Sequence, residues 1–361
     1  MDPAGGKGND WRPWFRRLLT TTVAILACGA VLLLGEVAAR ILRPEWQPGS
    51  EERVKFWRYD ERLGWAHRPG QHGLFRHIDF CVRVDINSAG LRDTEYPRER
   101  NDKRRMLVLG DSFGWGYGVE HDERFSEILE AAHPDWEIVN ASVSGYGTDQ
   151  EYLYLRDQGL SYHPDVVLLL FTRGDLDDNS KSRQHWYNKP QFVVGDSGLE
   201  LRNVPVPAAT LRQVVGRFAL GRTYLGRGLY GLLEHRVSLL SGWSPRPTGG
   251  GGSSGAHDPY SVTRRLIAAV DELAASHGAR LVVVSVPMGG LERKVLEDTC
   301  ASCEIPYLAL DAAFEDVRTA TRFQHNQHWN AEGHAIAARA IDEFLRSLGV
   351  FSAEQAGAPD S

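Results

Sequence analysis

Cysteine is scarce, with four residues in a chain of 361. That excludes a disulfide-framed scaffold. The lone Cys300-Ala-Ser-Cys303, with no second pair, is weak evidence for a zinc site, and nothing else in the chain implies a metal or other cofactor. Cys28 lies in an apolar run and Cys81 stands alone. A Cys300–Cys303 bridge, a bridge to Cys81 and unpaired buried thiols all stay open. Charge of one sign is scarce as well. Lys and Arg total 41 against 47 Asp and Glu, a formal net charge of −6. There is no basic stripe interleaved with aromatics, which argues against nucleic acid as a partner. What remains, 42% hydrophobic and 24% charged, is the composition of a globular protein. Beyond an N-terminal segment, about 300 residues are enough for one large α/β domain with insertions or for two smaller ones. Ten Trp are present; most suit a core, and any exposed ones suit sugar stacking or membrane contact.

Leu18 to Gly35 carries no charge, and Val37, Ala38, Ala39, Ile41 and Leu42 continue the apolar character past Glu36 and Arg40. The run is at the lower limit for a membrane-spanning helix. Lys7, Arg12, Arg16 and Arg17 precede it. This basic flank favours a cytoplasmic N-terminus and a large domain outside. Trp11, Trp14 and Phe15 fit an interfacial aromatic belt. The expected arrangement is an uncleaved single-pass anchor. The alternatives are a signal peptide cut at Val37-Ala38-Ala39, a lipoprotein site at Ile25-Leu26-Ala27-Cys28, and a buried core helix.

Further along, apolar runs alternate with helical patterns. Arg104–Leu109, Glu137–Asn140, Asp165–Phe171, Leu281–Val286 and Tyr307–Leu310 read as buried parallel strands. Helices are expected over about 149–157, 259–276 and 331–348, the second closed by Gly278. Residues 191–194 and 199–204 read as a hairpin about Gly195-Asp196-Ser197-Gly198. Leu211–Leu240 is basic and amphipathic, and Pro245–Gly255 is a Gly/Ser-rich flexible loop. The fold class is α/β, a three-layer sandwich with a mostly parallel central sheet, preceded by one transmembrane helix. The expected divisions are a cytoplasmic N-terminus over 1–17, an anchor over 18–42, a connecting region over 43–103, the α/β domain over 104–350 with an insertion at about 180–256, and a disordered tail over 351–361. In such sheets the site lies at the carboxyl ends of the strands. The turns holding Ser112, Gly145 and Gly174-Asp175 all leave strands at that edge.

Three blocks in order carry a resemblance. Gly110-Asp111-Ser112-Phe113 after a strand resembles the first block of the SGNH/GDSL hydrolases, Val143-Ser144-Gly145-Tyr146-Gly147 the second, and Gln327-His328-Trp329-Asn330 with Gly333-His334 the final histidine block. With the anchor, the chain looks like the bacterial cell-envelope members, whose sheet is of flavodoxin-like type. The resemblance implies Ser112 as nucleophile, His328 as its base, and the Ser112 and Gly145 amides as oxyanion donors.

Two positions depart from the family pattern. Gly174 falls where the family has an oxyanion Asn, and Asn179 is four residues beyond Asp175, too far along the chain to substitute. His325 and Asn326 stand where an Asp would orient the histidine. Loss of one oxyanion donor can cost ~10²–10³ in turnover, and an Asn in place of the orienting Asp about 10⁴, because the amide favours the wrong tautomer. An Asp at position 326 is therefore expected to raise the rate. A backbone carbonyl orienting His328, the Gly174 N–H, and an approach of Asp175 or Asp311 are ways around these losses. Two functions follow. One is a membrane-anchored serine esterase or deacylase acting on acyl esters of an envelope glycan or lipid, or transferring the acyl group to a sugar hydroxyl. The other is a catalytically degenerate binding or scaffold module. Protein partners and oligomeric state are not legible.

Overall fold

The computed structural model describes residues 12–43, 53–184, 187–196, 198–211, 213–214, 223–226, 258, 260–315 and 317–351. The Gly/Ser-rich loop, most of the basic stretch over 211–240, the first eleven residues and the tail from 352 lie outside the described residues. In chain order the helices are α1 (Arg12–Leu42), α2 (Arg53–Phe56), α3 (Ser112–Trp115), α4 (Phe125–Ala132), α5 (Thr148–Asp157), α6 (Arg173–Asp178), α7 (Ser261–Ser276), α8 (Gly290–Ser302), α9 (Asp311–Glu315) and α10 (Ala331–Ser347). The strands are β1 (Trp57–Asp60), β2 (Gly64–His67), β3 (His72–Arg76), β4 (Cys81–Asp85), β5 (Arg104–Gly110), β6 (Trp136–Asn140), β7 (Val166–Phe171), β8 (Arg183–Gln184), β9 (Tyr187–Asn188), β10 (Gln191–Gly195), β11 (Gly198–Arg202), β12 (Arg280–Ser285) and β13 (Tyr307–Ala309).

Strands β5, β6, β7, β12 and β13 form one all-parallel sheet in the order β13-β12-β7-β5-β6. Their continuous apolar runs are explained by burial on both faces. Leu107, Leu109, Val167, Leu169, Leu281 and Val283 point into one core, while their neighbours Met106, Val108, Val166, Leu168, Val282 and Val284 point into the other. Helices α5, α7 and α8 cover the first face, and α4 and α10 the second. The three-layer α/β sandwich expected from the sequence is thus present. Helices α4 and α8 were not expected. The first is short, and its Phe125 and Leu129 become an apolar face only where α10 packs on them.

The order places β6 outside β5 and returns the chain to β5's other side as β7. Connections therefore diverge between β5 and β7, and a crevice opens at their carboxyl ends. Two small antiparallel hairpins, β1–β2 and β3–β4, lie over this region. Trp57, Trp65, Phe75, Val82 and Val84 from them, with Phe56 of α2, belong to the first core. The β10–β11 hairpin forms at the expected place, turning between Gly195 and Gly198.

Helix α1 is exposed along nearly all its length. Trp14–Leu42, 29 residues, is long and apolar enough to cross a membrane; at 1.5 Å per residue it is about 44 Å long, more than a hydrocarbon core requires. Near its end the Glu36 carboxylate accepts the Tyr224 and Leu225 N–H groups at 3.1 and 2.9 Å, and Arg40 lies over the Tyr224 ring. Cys28, Cys81, Cys300 and Cys303 are all free thiols, and burial pushes the Cys300 thiol up to about 12.

Beneath the carboxyl edge lies a cluster of buried acids. Asp149 is paired with Lys189, both side chains fully buried. Glu151 is 1% exposed, and among the described residues neither of its carboxylate oxygens has a hydrogen-bond partner. Burial, with Asp175, Asp111 and Asp149 nearby, holds its carboxyl well above the usual range. The folded state therefore keeps a proton here that the unfolded chain releases. The stabilisation is complete below the unfolded Glu value and is lost as pH rises through the folded one. Glu151→Gln removes this dependence. Denaturant unfolding at about pH 5 and about pH 8 should show the variant losing less stability than the parent on going to the higher pH.

Packing at the β5 exit makes a second prediction. A Cβ on Gly114 would sit 2.2 Å from Ser142 Oγ and 2.8 Å from Ser142 Cβ. Gly114→Ala is expected to destabilise the fold by about 1–3 kcal/mol, measurable as a lowered midpoint in thermal unfolding.

Candidate functional site

Strand β5 ends at Gly110, and the chain turns at once into the single turn α3. Asp111 is the N-cap of that turn, its Oδ1 accepting the Phe113 N–H at 2.8 Å. Burial raises the Asp111 carboxyl to about 6. Its hydrogen bond holds the turn, a structural role. Ser112 is the first residue of the turn and stands partly exposed in the crevice. The neighbouring exits are tied to it. The Val143 N–H donates to Gly110 O at 3.0 Å, and Thr172 Oγ donates to Asp111 Oδ2 at 3.3 Å.

His328 arrives from the other end of the chain, on the loop between α9 and α10. That loop folds back on itself. Arg322 and Trp329 form an antiparallel bridge, the Phe323 N–H donates to His328 O at 3.2 Å, and the Asn330 N–H donates to Thr321 O at 3.1 Å. Trp329 is fully buried in the second core and fixes the loop. Asn330 caps α10 by accepting the Gly333 N–H at 3.0 Å. His334 is also structural. It accepts the Phe125 N–H at 3.3 Å, and burial lowers it to about 3, so it stays neutral.

This arrangement sets His328 Nε2 2.7 Å from Ser112 Oγ. The Tyr117 ring stacks on the imidazole at 4.1 Å between centroids, and Phe113 lies against it at 5.1 Å. On the far side of the ring, His328 Nδ1 lies 3.2 Å from Asn326 Oδ1, which also accepts the His328 backbone N–H at 3.0 Å. It is this amide, and neither of the two candidate aspartates, that faces Nδ1. Asp175 accepts the Thr172 N–H at 2.6 Å, and Asp311 accepts the Gly289 N–H at 3.0 Å.

A residue that the sequence reading missed completes the set. Asp79 is in the loop joining β3 to β4, and its side chain is 5% exposed. Asn326 Nδ2 donates to Asp79 Oδ2 at 3.0 Å, and His325 Nδ1 lies 2.7 Å from Asp79 Oδ1. The His325 N–H is 3.2 Å from both carboxylate oxygens. His77 Nδ1 lies 3.4 Å from Oδ2. The loop is held there by aromatic packing of Phe80 on Phe75, Tyr117 and Phe323. Gly118, at φ +95°, leaves room for it, because a Cβ there would come within 2.6 Å of Phe80. No motif marks Asp79. Its only sequence signal is an acid in a short hairpin loop.

Of the expected amide donors, Gly145 adopts φ +87°, a conformation suited to glycine, with Trp65 over it and Trp65 Nε1 donating to Ser144 O at 3.3 Å. Gly174 is not in a simple strand-to-loop turn. It lies in the first turn of α6, whose N-cap is Thr172, where backbone N–H groups have no partner within the helix. Asn179 is buried, donating to Thr263 Oγ at 3.1 Å and accepting the Asp149 N–H at 3.2 Å, so its amide is committed elsewhere. A cavity of about 350 Å³ lies on the Gly145 side, lined by Trp57, Trp65, Tyr187, Arg58 and neighbours. A second, of about 290 Å³ by Arg100, His163 and His277, is at the opposite edge of the sheet. Among the described residues the one cluster with metal-ligand spacing is Asp93, His121 and Glu127. The Arg124 guanidinium already occupies its centre.

No protein-family model matches the chain, and no curated protein matches it. Among solved structures it is similar to TesA, at 13% identity over 68% of this chain and 99% of that one, with a TM-score of 0.40. It is also similar to a member of the lipolytic G-D-S-L family from Veillonella parvula, at 13% identity over 66% and 97%, with a TM-score of 0.39. A third is the psychrotrophic esterase EstA from Pseudoalteromonas, at 13% identity over 68% and 98%, with a TM-score of 0.38.

Proposed function

We propose that the protein is a membrane-anchored serine esterase or deacylase of SGNH type, with Ser112 as nucleophile and His328 as its base. The observation that carries this reading is the 2.7 Å contact between Ser112 Oγ and His328 Nε2 at a strand's carboxyl end. It also weighs against a degenerate binding module, in which the two side chains have no reason to stay within reach.

As Ser112 Oγ attacks an acyl carbonyl, its proton passes to His328 Nε2. The N–H groups of Ser112 and Gly145 hold the oxyanion, with Gly174 as third donor in place of the family's Asn. The imidazolium then protonates the departing alkoxide. Water, or a sugar hydroxyl in the transfer version, enters by the same route in reverse. Stacked Tyr117 stabilises the imidazolium through its π face. Asn326 orients the ring. The steps use no metal or other cofactor.

The substrate class proposed is an acyl ester of an envelope glycan or lipid. Its support is the anchor helix and the cavity lined by Trp57, Trp65 and Tyr187, whose volume lies at the small end of ligand sites. The basic flank of the anchor supports a single-pass arrangement in a bacterial inner membrane, with the domain on the periplasmic or extracellular side.

The test is turnover of short-chain p-nitrophenyl esters by the full-length protein in detergent. Ser112→Ala and His328→Ala are each expected to lower kcat by about 10³-fold or more. A fluorophosphonate should label the parent at Ser112 and leave Ser112→Ala unlabelled. Equal background hydrolysis by parent and Ser112→Ala, with no labelling, would establish the binding-module reading instead.

A further inference from the structure

We propose that Asp79 is a positioning residue for His328, acting through the Asn326 amide, so that an amide takes the place of the usual carboxylate without selecting the wrong tautomer. The inference rests on the serine-esterase reading and adds a residue to its site.

A side-chain amide has one donating end and one accepting end, and which end faces the histidine decides the imidazole tautomer. If the NH₂ group faced Nδ1, the ring would hold its proton on Nε2, and Ser112 would lose its acceptor. A carboxylate can only accept. Asp79 Oδ2, at 3.0 Å, therefore draws the NH₂ end of Asn326 to itself. That leaves Asn326 Oδ1 toward His328, where it accepts the backbone N–H at 3.0 Å. Nδ1, 3.2 Å from the same oxygen, must then carry a proton. Nε2 is left bare toward Ser112 Oγ at 2.7 Å. Asp79 is itself held, since His325 presents its backbone N–H and its Nδ1 to the carboxylate. Each link has a fixed direction, so the polarity at Asp79 reaches Ser112.

The consequence reverses the expectation drawn from sequence. Asn326→Asp sets a second carboxylate about 3 Å from Asp79 with no hydrogen between them, and like charges so close disfavour each other. The single variant should be slower than the parent. Exchanging the pair, Asp79→Asn with Asn326→Asp, restores one donor and one acceptor. The amide introduced at position 79 then donates to the carboxylate introduced at position 326, and that carboxylate accepts from His328 Nδ1.

The experiment uses the full-length protein in detergent, comparing the parent with Asp79→Ala, Asn326→Asp and the exchanged pair. We expect Asp79→Ala to lower kcat by about 10–100-fold, by analogy with the cost of losing a partner that orients a metal-bound imidazole from behind, with KM little changed. The exchanged pair should exceed Asn326→Asp in kcat. A purely structural role for Asp79 predicts no such rescue. The ¹⁵N shifts of His328, in protein labelled selectively at histidine and assigned with His328→Ala, read the tautomer without turnover. They should show a protonated Nδ1 in the parent and in the exchanged pair, and a shift toward a protonated Nε2 in Asp79→Ala. The exchanged pair, which keeps both polar contacts, supplies the comparison if Asp79→Ala folds poorly. An Asn326→Asp rate above the parent, or a parent ring protonated at Nε2, or a tautomer unmoved in Asp79→Ala, would overturn the relay. Because the NMR readout needs no ester, failure of the relay is distinguishable from absence of esterase activity, which Ser112→Ala reports.

Discussion

Ser112 and His328 are 216 positions apart in the chain and meet at 2.7 Å, and the central position of β5 is the constraint behind that meeting. A strand buried on both faces has no freedom to shift, because a slip of one residue would exchange the two cores. With Met106 and Val108 on one side and Leu107 and Leu109 on the other, the exit at Gly110 is fixed to the sheet's edge. Every other part of the site is built toward that point. The β6 exit is tied to it by the Val143–Gly110 bond and the β7 exit by Thr172 on Asp111. The histidine loop is anchored by Trp329 in the core below.

The first core is continuous from the sheet to the β1–β4 hairpins, so the hairpins over 57–85 are coupled to the Ser112–His328 end of the molecule. Tyr117 belongs to this coupling. Its ring packs edge-on against Phe75 and Phe80 and stacks face-on against His328. Movement of the β3–β4 loop would therefore disturb the stacked face of the imidazole and the Asp79 contact together.

Local patterns made much of the fold legible, and long-range pairing made the rest invisible. The strands from 104, 166 and 280 announce themselves as apolar runs because burial on both faces leaves no polar alternation to confuse them. Ser112 and His328, which meet at 2.7 Å, and the candidate Gly145 each sit in a short motif whose turn geometry restricts the residues allowed. Asp79 was not readable. Its partner Asn326 is 247 positions away, and nothing in His77-Ile78-Asp79-Phe80 distinguishes it from a solvated hairpin turn. The helical setting of Gly174 was hidden for a related reason. Thr172 and Asp175 form the capping pair of α6, but a helix of six residues is too short to show a period.

The amide at position 326 also changes the electrostatics of the site. A carboxylate touching Nδ1 would stabilise an imidazolium by direct Coulomb attraction, which falls with distance and with solvent screening. Moving the negative charge one residue back, to Asp79, weakens that attraction and leaves more of the work to other groups. Tyr117 at 4.1 Å and Phe113 at 5.1 Å present rings to the same imidazole, and aromatic faces favour a cation most when water is excluded. On that view Asn326 is less a damaged aspartate than a polar connector. It keeps the direction of the hydrogen bond and places the charge where His325 can share it.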